Sequence, residues 1–109
     1  TLEHHLSDIP ASTEDMEQAL YRITQEALAN ISKHSQAKHV RIKLEQISGE
    51  IVMEISDDGK GFKLSQAKSQ GHGLSFMKER LEALSGHLEI HSTVGKGTLI
   101  RAHLPLGAL

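Results

Sequence analysis

The chain has 109 residues, enough for a single domain with one modest core. Its formal net charge of -2, from 12 basic and 14 acidic residues, shows no basic excess of the kind that nucleic-acid grooves carry. It contains no cysteine, and no apolar run reaches the roughly 18 residues that a bilayer crossing requires. We therefore expect no nucleic-acid partner, no disulfide and no direct membrane contact.

The first elements are a short strand and a helix start. Leu2, His4 and Leu6 would share one face of an edge strand. Because this stretch begins immediately, and with Thr rather than Met, we expect residues 1–109 to be one domain excised from a longer protein. Ser12 or Thr13 then offers an N-cap, followed by acidic residues that favour a helix N-terminus.

A helix is predicted from Glu14 to about His34. Apolar residues recur three and four positions apart, at Met16, Leu20, Ile23, Ala27 and Ile31. Beside this apolar face, Glu26 and Asn30 lie one turn apart, and Lys33 or His34 completes the next turn. The helix alone leaves two interpretations open, because the polar stripe fits a ligand site and a solvated helix edge about equally.

Two strands follow and end in an unusual polar segment. Alternation predicts a half-buried strand over 39–45, and an apolar strand over 51–56, joined as an antiparallel hairpin through Gly49. The second strand runs directly into Asp57-Asp58-Gly59-Lys60-Gly61-Phe62. Its glycines permit positive φ and close approach to the backbone. Taken alone, the segment fits a tight polar turn, since Asp-Gly is common in turns.

The polar segment 63–70 has no clear period and is predicted to be a mobile lid. It ends at Gly71-His72-Gly73, which leads into an amphipathic helix that starts at Leu74 and is ended by Gly86. A glycine-rich turn before a helix leaves N–H groups that could cradle a phosphate. This signal is weak by itself.

Two further strands complete the predicted fold. Residues 87–92 and 99–104 alternate, and Gly95-Lys96-Gly97-Thr98 forms the turn between them. The element order is strand, helix, strand, strand, lid, helix, strand, strand. It predicts an α/β (α+β) two-layer sandwich, with one mixed five-stranded sheet and the helices on one face.

Other candidate motifs in the sequence are incomplete. The Gly95–Thr98 segment is no P-loop, because Ile90 stands where the first glycine is required and Gly97 follows the lysine. His87 and His91 would share a strand face, but the sequence places no third ligand near them. The eight histidines are therefore predicted to be scattered surface residues rather than a metal site.

Four blocks in order carry a family resemblance. Residues 25–34 look like an N box, Asp57 to Phe62 like a G1 box, Gly71 to Leu74 with 77–81 like a G2 box, and 95–98 like the closing Gly-x-Gly-Thr. Together they resemble the catalytic ATP-binding domain of two-component sensor histidine kinases, in the group shared with gyrase, Hsp90 and MutL. The Lys-His tail of the N box resembles the nitrate-sensor and DesK-like branch. The resemblance implies a Bergerat-type ATP-binding fold.

The resemblance also implies roles around a nucleotide. Asp57 would accept a hydrogen bond from the adenine amino group, Gly59 and Gly61 would leave room for the purine, and Thr98 would support Asp57. Asn30 would coordinate Mg²⁺, and Glu26 would orient a metal-bound water or act as a base. The phosphates would be contacted by Lys33 and His34 and by the segment Gly71, His72, Gly73 and Leu74.

The family phosphorylates a histidine on a helical dimerisation domain, and nothing in this chain matches that domain. We therefore expect the chain to bind ATP and Mg²⁺ but to show little or no autophosphorylation. The implied partners are an upstream histidine-bearing dimerisation domain and, indirectly, a response regulator. A monomeric fragment of a homodimeric cytoplasmic kinase is expected. The alternatives are an anti-sigma-type serine kinase, and a non-catalytic module that senses ATP.

Overall fold

A computed structural model describes residues 2–6, 13–61 and 73–106, with backbone only for 2–6, 34 and 35. Several predicted features lie outside the described residues: Ser12, Phe62, the lid over 63–70, Gly71 and His72. The described chain forms two helices and a sheet. Among the described residues, neither helix is long and apolar enough to pass through a bilayer.

The sheet has the spatial order β1-β2-β3-β5-β4. Its strands are β1 (Leu2–Leu6), β2 (Val40–Ile47), β3 (Glu50–Asp57), β4 (His87–Thr93) and β5 (Gly97–Pro105). Strand β1 pairs parallel to β2 at one edge, and the other neighbours pair antiparallel. The β2–β3 hairpin turns at Ser48 and Gly49, whose φ values of 50° and 78° suit the twist of the flanking strands.

Helix α1 spans Glu14–Asn30 and begins at Thr13, whose hydroxyl oxygen accepts a 3.2 Å hydrogen bond from the Met16 amide. The chain then continues as a π-helical turn over Ile31–Ser35 and ends at Gln36, with φ at 55°. The predicted helix to about His34 is thus observed, with its last turn π-helical rather than α-helical. Hydrophobic periodicity carries no signal for one extra residue in a single helical turn.

Helix α2 spans Leu74–Glu82. Its C-terminal turn places Ser85 at a φ of 63° and directs the Gly86 amide to the Leu81 carbonyl at 2.7 Å. Gly86 itself is required by packing, because a Cβ there would collide with the carbonyl oxygen of His103 on β5. The predicted helix end at Gly86 therefore lies against the sheet.

Both helices pack on one face of the sheet, which confirms the predicted two-layer α+β class. Ile42, Ile55 and Ile100 lie abreast on β2, β3 and β5 and belong to the same buried cluster as the helices' apolar residues. The fully buried side chains with the largest volumes come from both layers: Ile23, Ile51, Ile55, Met77, Leu81 and Leu104. Aliphatic side chains thus build the core, as the 3% aromatic content requires.

The opposite face of the sheet is charged. Arg101 on β5 lies between Glu54 on β3 and Glu89 on β4, with nitrogen–oxygen distances of 3.5 Å and 3.0 Å. These residues are cross-strand partners in register, so opposite charges face each other across adjacent strands. This face therefore carries a polar network where the other face carries the core.

Candidate functional site

Three polar side chains stand abreast where β3 ends. Asp57 is the register partner of Thr98 on β5, and Thr98 is the partner of Ser92 on β4. The Gly59 amide donates a 2.8 Å hydrogen bond to Asp57 Oδ1, so the turn after the strand orients this carboxylate. The Thr98 and Ser92 hydroxyl oxygens are 2.9 Å apart. Ser92 was missed in the sequence, because only the strand register brings it to this row.

The backbone around Asp57 is packed too closely for side chains. Gly97 has a φ of 87°, and a Cβ there would collide with the Asp57 carbonyl oxygen. A Cβ on Gly61 would collide with the Thr93 carbonyl oxygen and lie 2.9 Å from that of Gly97. Gly61 of the G1 segment and Gly97 of the closing Gly-x-Gly-Thr are thus required by packing. For Gly61 this adds a second reason to the purine clearance that the resemblance implies.

Asp58 has a different role from its neighbour. Its Oδ1 accepts hydrogen bonds from the backbone amides of Lys38, at 2.8 Å, and His39, at 2.9 Å. These bonds, the one from His39 foremost, hold the pKa of the Asp58 carboxyl below its usual value. Asp58 therefore ties the start of β2 to the end of β3 and stands apart from the predicted ligand contacts.

A second group of predicted residues lies between the helices. Gly73 forms the N-cap of α2 with a φ of 67°, and a Cβ there would meet the Glu26 carboxylate, whose Cδ would be 2.7 Å away. The N box and the G2 box therefore touch directly. The contact also places a carboxylate beside the helix N-terminus, where the sequence predicts a phosphate cradle.

Asn30 is half-buried as the last residue of α1, one turn after Glu26. Lys33 is exposed in the π-helical turn, and His34 belongs to the same turn, with its side chain outside the described part. The π-helical turn gives Lys33 a different direction from the one that an α-helix would give it. Such turns occur often at functional sites.

Leu74 is half-buried at the start of α2 and also packs against the core. It borders an open cavity of about 300 Å³ between α2 and β4, together with Ser75, Lys78, Leu88 and Ile90. Leu74 is the one predicted site residue in this lining. The cavity therefore lies beside the predicted nucleotide contacts rather than around Asp57.

Comparison with known proteins decides the family. Residues 15–108 match the HATPase_c family, described as histidine kinase-, DNA gyrase B-, and HSP90-like ATPase. The chain belongs to this ATPase family. The resemblance inferred from the four blocks is thereby confirmed.

Curated relatives in this ATPase family include bacterial sensor kinases. The chain is 40% identical over 96 residues to the sensor histidine kinase LiaS of Bacillus subtilis, with 88% of this chain and 27% of LiaS covered. It is 48% identical over 87 residues to the sensor histidine kinase ComP of the same organism, with 76% of this chain and 11% of ComP covered. The chain thus spans 27% of the length of LiaS and 11% of the length of ComP.

Solved structures agree with the ATPase fold. The histidine kinase domain of the Erythrobacter litoralis EL346 blue-light activated histidine kinase matches with a TM-score of 0.82 at 17% identity, covering 96% of this chain and 54% of that one. Acinetobacter baumannii histidine kinase AdeS gives a TM-score of 0.80 at 18% identity, covering 98% and 54%. At these identities the likeness supports the fold alone.

The first prediction concerns Asp58. Replacing it with Ala should lower the urea midpoint of the chain at pH 7, and Asn, which keeps one acceptor oxygen, should lower it less. Because the folded pKa is depressed, the carboxylate contributes stability above its ordinary pKa of 3.8 and loses it as the pH falls through the lower folded value. The gap between parent and Ala variant should shrink in acid; a gap of constant size would contradict this assignment.

The second prediction separates packing from backbone strain. Gly95 and Gly97 have φ values of 85° and 87°, but a Cβ on Gly95 would meet nothing within 4 Å. Gly95→Ala should therefore cost about 1 kcal/mol in free energy of unfolding, from the left-handed conformation alone. Gly97→Ala adds a backbone collision and should cost roughly 3 kcal/mol or more. Urea unfolding measures both, and equal costs would show that the close approach to Asp57 is unimportant.

Proposed function

We propose that the chain binds ATP with Mg²⁺ and positions the γ-phosphate for transfer to a histidine on a separate dimerisation domain of the same sensor kinase. The observation that carries this proposal is the arrangement at the end of β3. The Asp57 carboxylate is oriented there by the Gly59 amide, and the backbone beside it is packed so closely at Gly61 and Gly97 that only glycine fits. Membership of the ATPase family supports ATP as the nucleotide.

Asp57 is proposed to select adenine. Its Oδ1 is held by the Gly59 amide, and a carboxylate in this setting can accept a hydrogen bond from an exocyclic amino group. Guanine has a carbonyl at the corresponding position, so the carboxylate would face another acceptor. Thr98, cross-strand from Asp57, is proposed to support it, directly or through water.

Glu26 and Asn30 are proposed to hold Mg²⁺. Both offer oxygen atoms from successive turns of α1, and Mg²⁺ prefers such hard oxygen ligands together with phosphate and water. The Glu26 carboxylate beside the N-terminus of α2 would repel a phosphate there. When bound, the metal ion would neutralise this charge and that of the phosphates, which is the main task in phosphoryl transfer.

The remaining residues are proposed to bind phosphate. Lys33 is exposed on the π-helical turn after Asn30 and can reach an anion as a charge partner, with His34 beside it. Gly71, His72 and Gly73 are proposed to bring backbone N–H groups to the phosphates, and Leu74 to border the same ligand. Of this last set, Gly73 and Leu74 belong to the described residues.

We also propose the wider setting from the relatives. LiaS and ComP are named sensor histidine kinases, and the chain covers 27% and 11% of them. The proposed partners are a histidine-bearing dimerisation domain and, through it, a response regulator. The proposed parent protein is a homodimer with this domain in the cytoplasm.

The third prediction tests the adenine contact by calorimetric titration with ATP and GTP. The parent chain should bind ATP and not GTP. Asp57→Asn loses a charge-assisted hydrogen bond and presents a donor to the amino group, so its affinity for ATP should fall about 10- to 100-fold. Glu82→Gln, the same change of charge on the exposed end of α2, should bind like the parent. Unchanged binding by Asp57→Asn would refute the adenine assignment.

Asn30→Asp provides the contrast within the same titration. It alters an oxygen proposed to face Mg²⁺, so the dependence of ATP affinity on Mg²⁺ should change more than the affinity in its absence. A variant whose defect is equal with and without Mg²⁺ would remove Asn30 from the metal site.

The fourth prediction concerns phosphoryl transfer. With radiolabelled ATP, the chain alone should incorporate little or no phosphate. Adding the parent protein's histidine-bearing domain should give acid-labile phosphate on that domain, as expected of phosphohistidine. Robust labelling of the chain alone at His4 or His5 would contradict the proposed separation of ATP site and acceptor. Labelling of a serine on the partner would favour the serine-kinase alternative.

A further inference from the structure

A cluster of metal-ligating side chains lies on the sheet face opposite the helices. It consists of His87 and Glu89 on β4 and His103 on β5, whose ligand atoms all lie within 4.8 Å of one another. His87 and His103 are register partners, and their rings stack with centroids 4.2 Å apart and planes inclined by 7°. The candidate third ligand beside His87, which spacing along the chain does not show, thus lies on the neighbouring strand.

His103 is the unusual member of this cluster. Its side chain is only 13% exposed, and neither ring nitrogen has a well-aligned hydrogen-bond partner among the described residues. Its Nε2 is nevertheless 2.9 Å from Glu89 Oε1, so the carboxylate oxygen is near but out of line with an N–H bond. A buried imidazole with two unsatisfied nitrogens is costly, and it calls for a further partner.

We propose that His87, Glu89 and His103 bind a divalent transition-metal ion of the zinc class. Zinc takes imidazole nitrogen and carboxylate oxygen at about 2.1 Å, and tetrahedral ligand atoms are then about 3.4 Å apart. The Glu89 Oε1 atom lies 2.9 Å from His103 Nε2 and 3.9 Å from His87 Nε2, on either side of that value. The two rings stack in nearly parallel planes, so one of them must rotate for both nitrogens to point at one ion. That rotation would complete three of four ligand positions.

Residues around the cluster would orient the ligands. Glu50 Oε1 lies 3.5 Å from Nδ1 of His103, the position of the carboxylate that commonly accepts the second N–H of a metal-bound histidine. Arg101 holds the other oxygen of Glu89, Oε2, at 3.0 Å and leaves Oε1 directed at the two imidazoles. The Glu50 contact would fix the Nδ1–H tautomer of a metal-bound His103 and leave its Nε2 for the metal.

Occupation of this site would link β4 to β5 close to the end of α2. His87 follows Gly86, which packs directly against the His103 backbone. The metal would therefore stabilise the β4 edge of the sheet together with the C-terminal turn of α2. This site is separate from the proposed Mg²⁺ ligands, which lie on α1 in the helical layer.

The test is a calorimetric titration of the whole chain with Zn²⁺ at pH 7.5 without nucleotide, with thermal unfolding measured in parallel. One Zn²⁺ should bind per chain and raise the Tm, because the ligands are assembled only in the folded state. His87→Gln and His103→Gln should each weaken binding at least tenfold, and Glu50→Gln should weaken it about tenfold. Millimolar Mg²⁺ should not compete, since it prefers oxygen ligands.

His39→Gln is the matched control, because His39 is 69% exposed beside Asp58, outside the cluster. It should leave Zn²⁺ affinity unchanged. His87 is 56% exposed, so its replacement should perturb the fold less than replacement of the buried His103. Far-UV circular dichroism verifies the fold of each variant. The proposal is overturned if the parent shows no saturable binding, or if His87→Gln binds as tightly as His39→Gln; the cluster is then a set of cross-strand polar contacts without a metal.

Discussion

The backbone of β5 passes so close to the end of β3 that no side chain fits between them. Gly97 lies against the Asp57 carbonyl, and Gly61 lies against the carbonyl of Thr93 at the end of β4. This approach fixes where Asp57 leaves the sheet and keeps the turn after it against β4 and β5. The proposed adenine contact depends on that placement, because a hydrogen bond to a ligand requires its acceptor to be held in position.

The two neighbouring carboxylates divide into a proposed ligand group, Asp57, and a structural group, Asp58. Asp57 is oriented by the amide of Gly59, whereas Asp58 accepts two amides from the segment before β2. Asp58 therefore links β3 to the start of β2, and Asp57 presents its carboxylate at the end of β3. Holding the second carboxylate through backbone amides makes the position of the first less dependent on any flexible side chain.

The two faces of the sheet carry different kinds of side chain, apolar on one and charged on the other. One face buries aliphatic residues under the helices, and the contact of Glu26 with Gly73 joins the helices at the proposed phosphate end. The other face carries the charged ladder around Arg101 and the histidine cluster at β4 and β5. Nucleotide chemistry and the proposed zinc-class site can thus coexist, because the core separates their ligands.

The sequence by itself determined the elements, the fold class and the family, because periodicity and ordered motifs are local properties of the chain. Alternating apolar residues indicate strands at Leu88 and Ile90 and from Ile100 to Leu104, and the four blocks identify the ATPase family. Only the tertiary structure decided which side chains become neighbours on adjacent strands. Strand register brings His103 next to His87 and aligns Asp57, Thr98 and Ser92. Register and packing join distant segments, so no local pattern encodes these contacts or the π-helical turn.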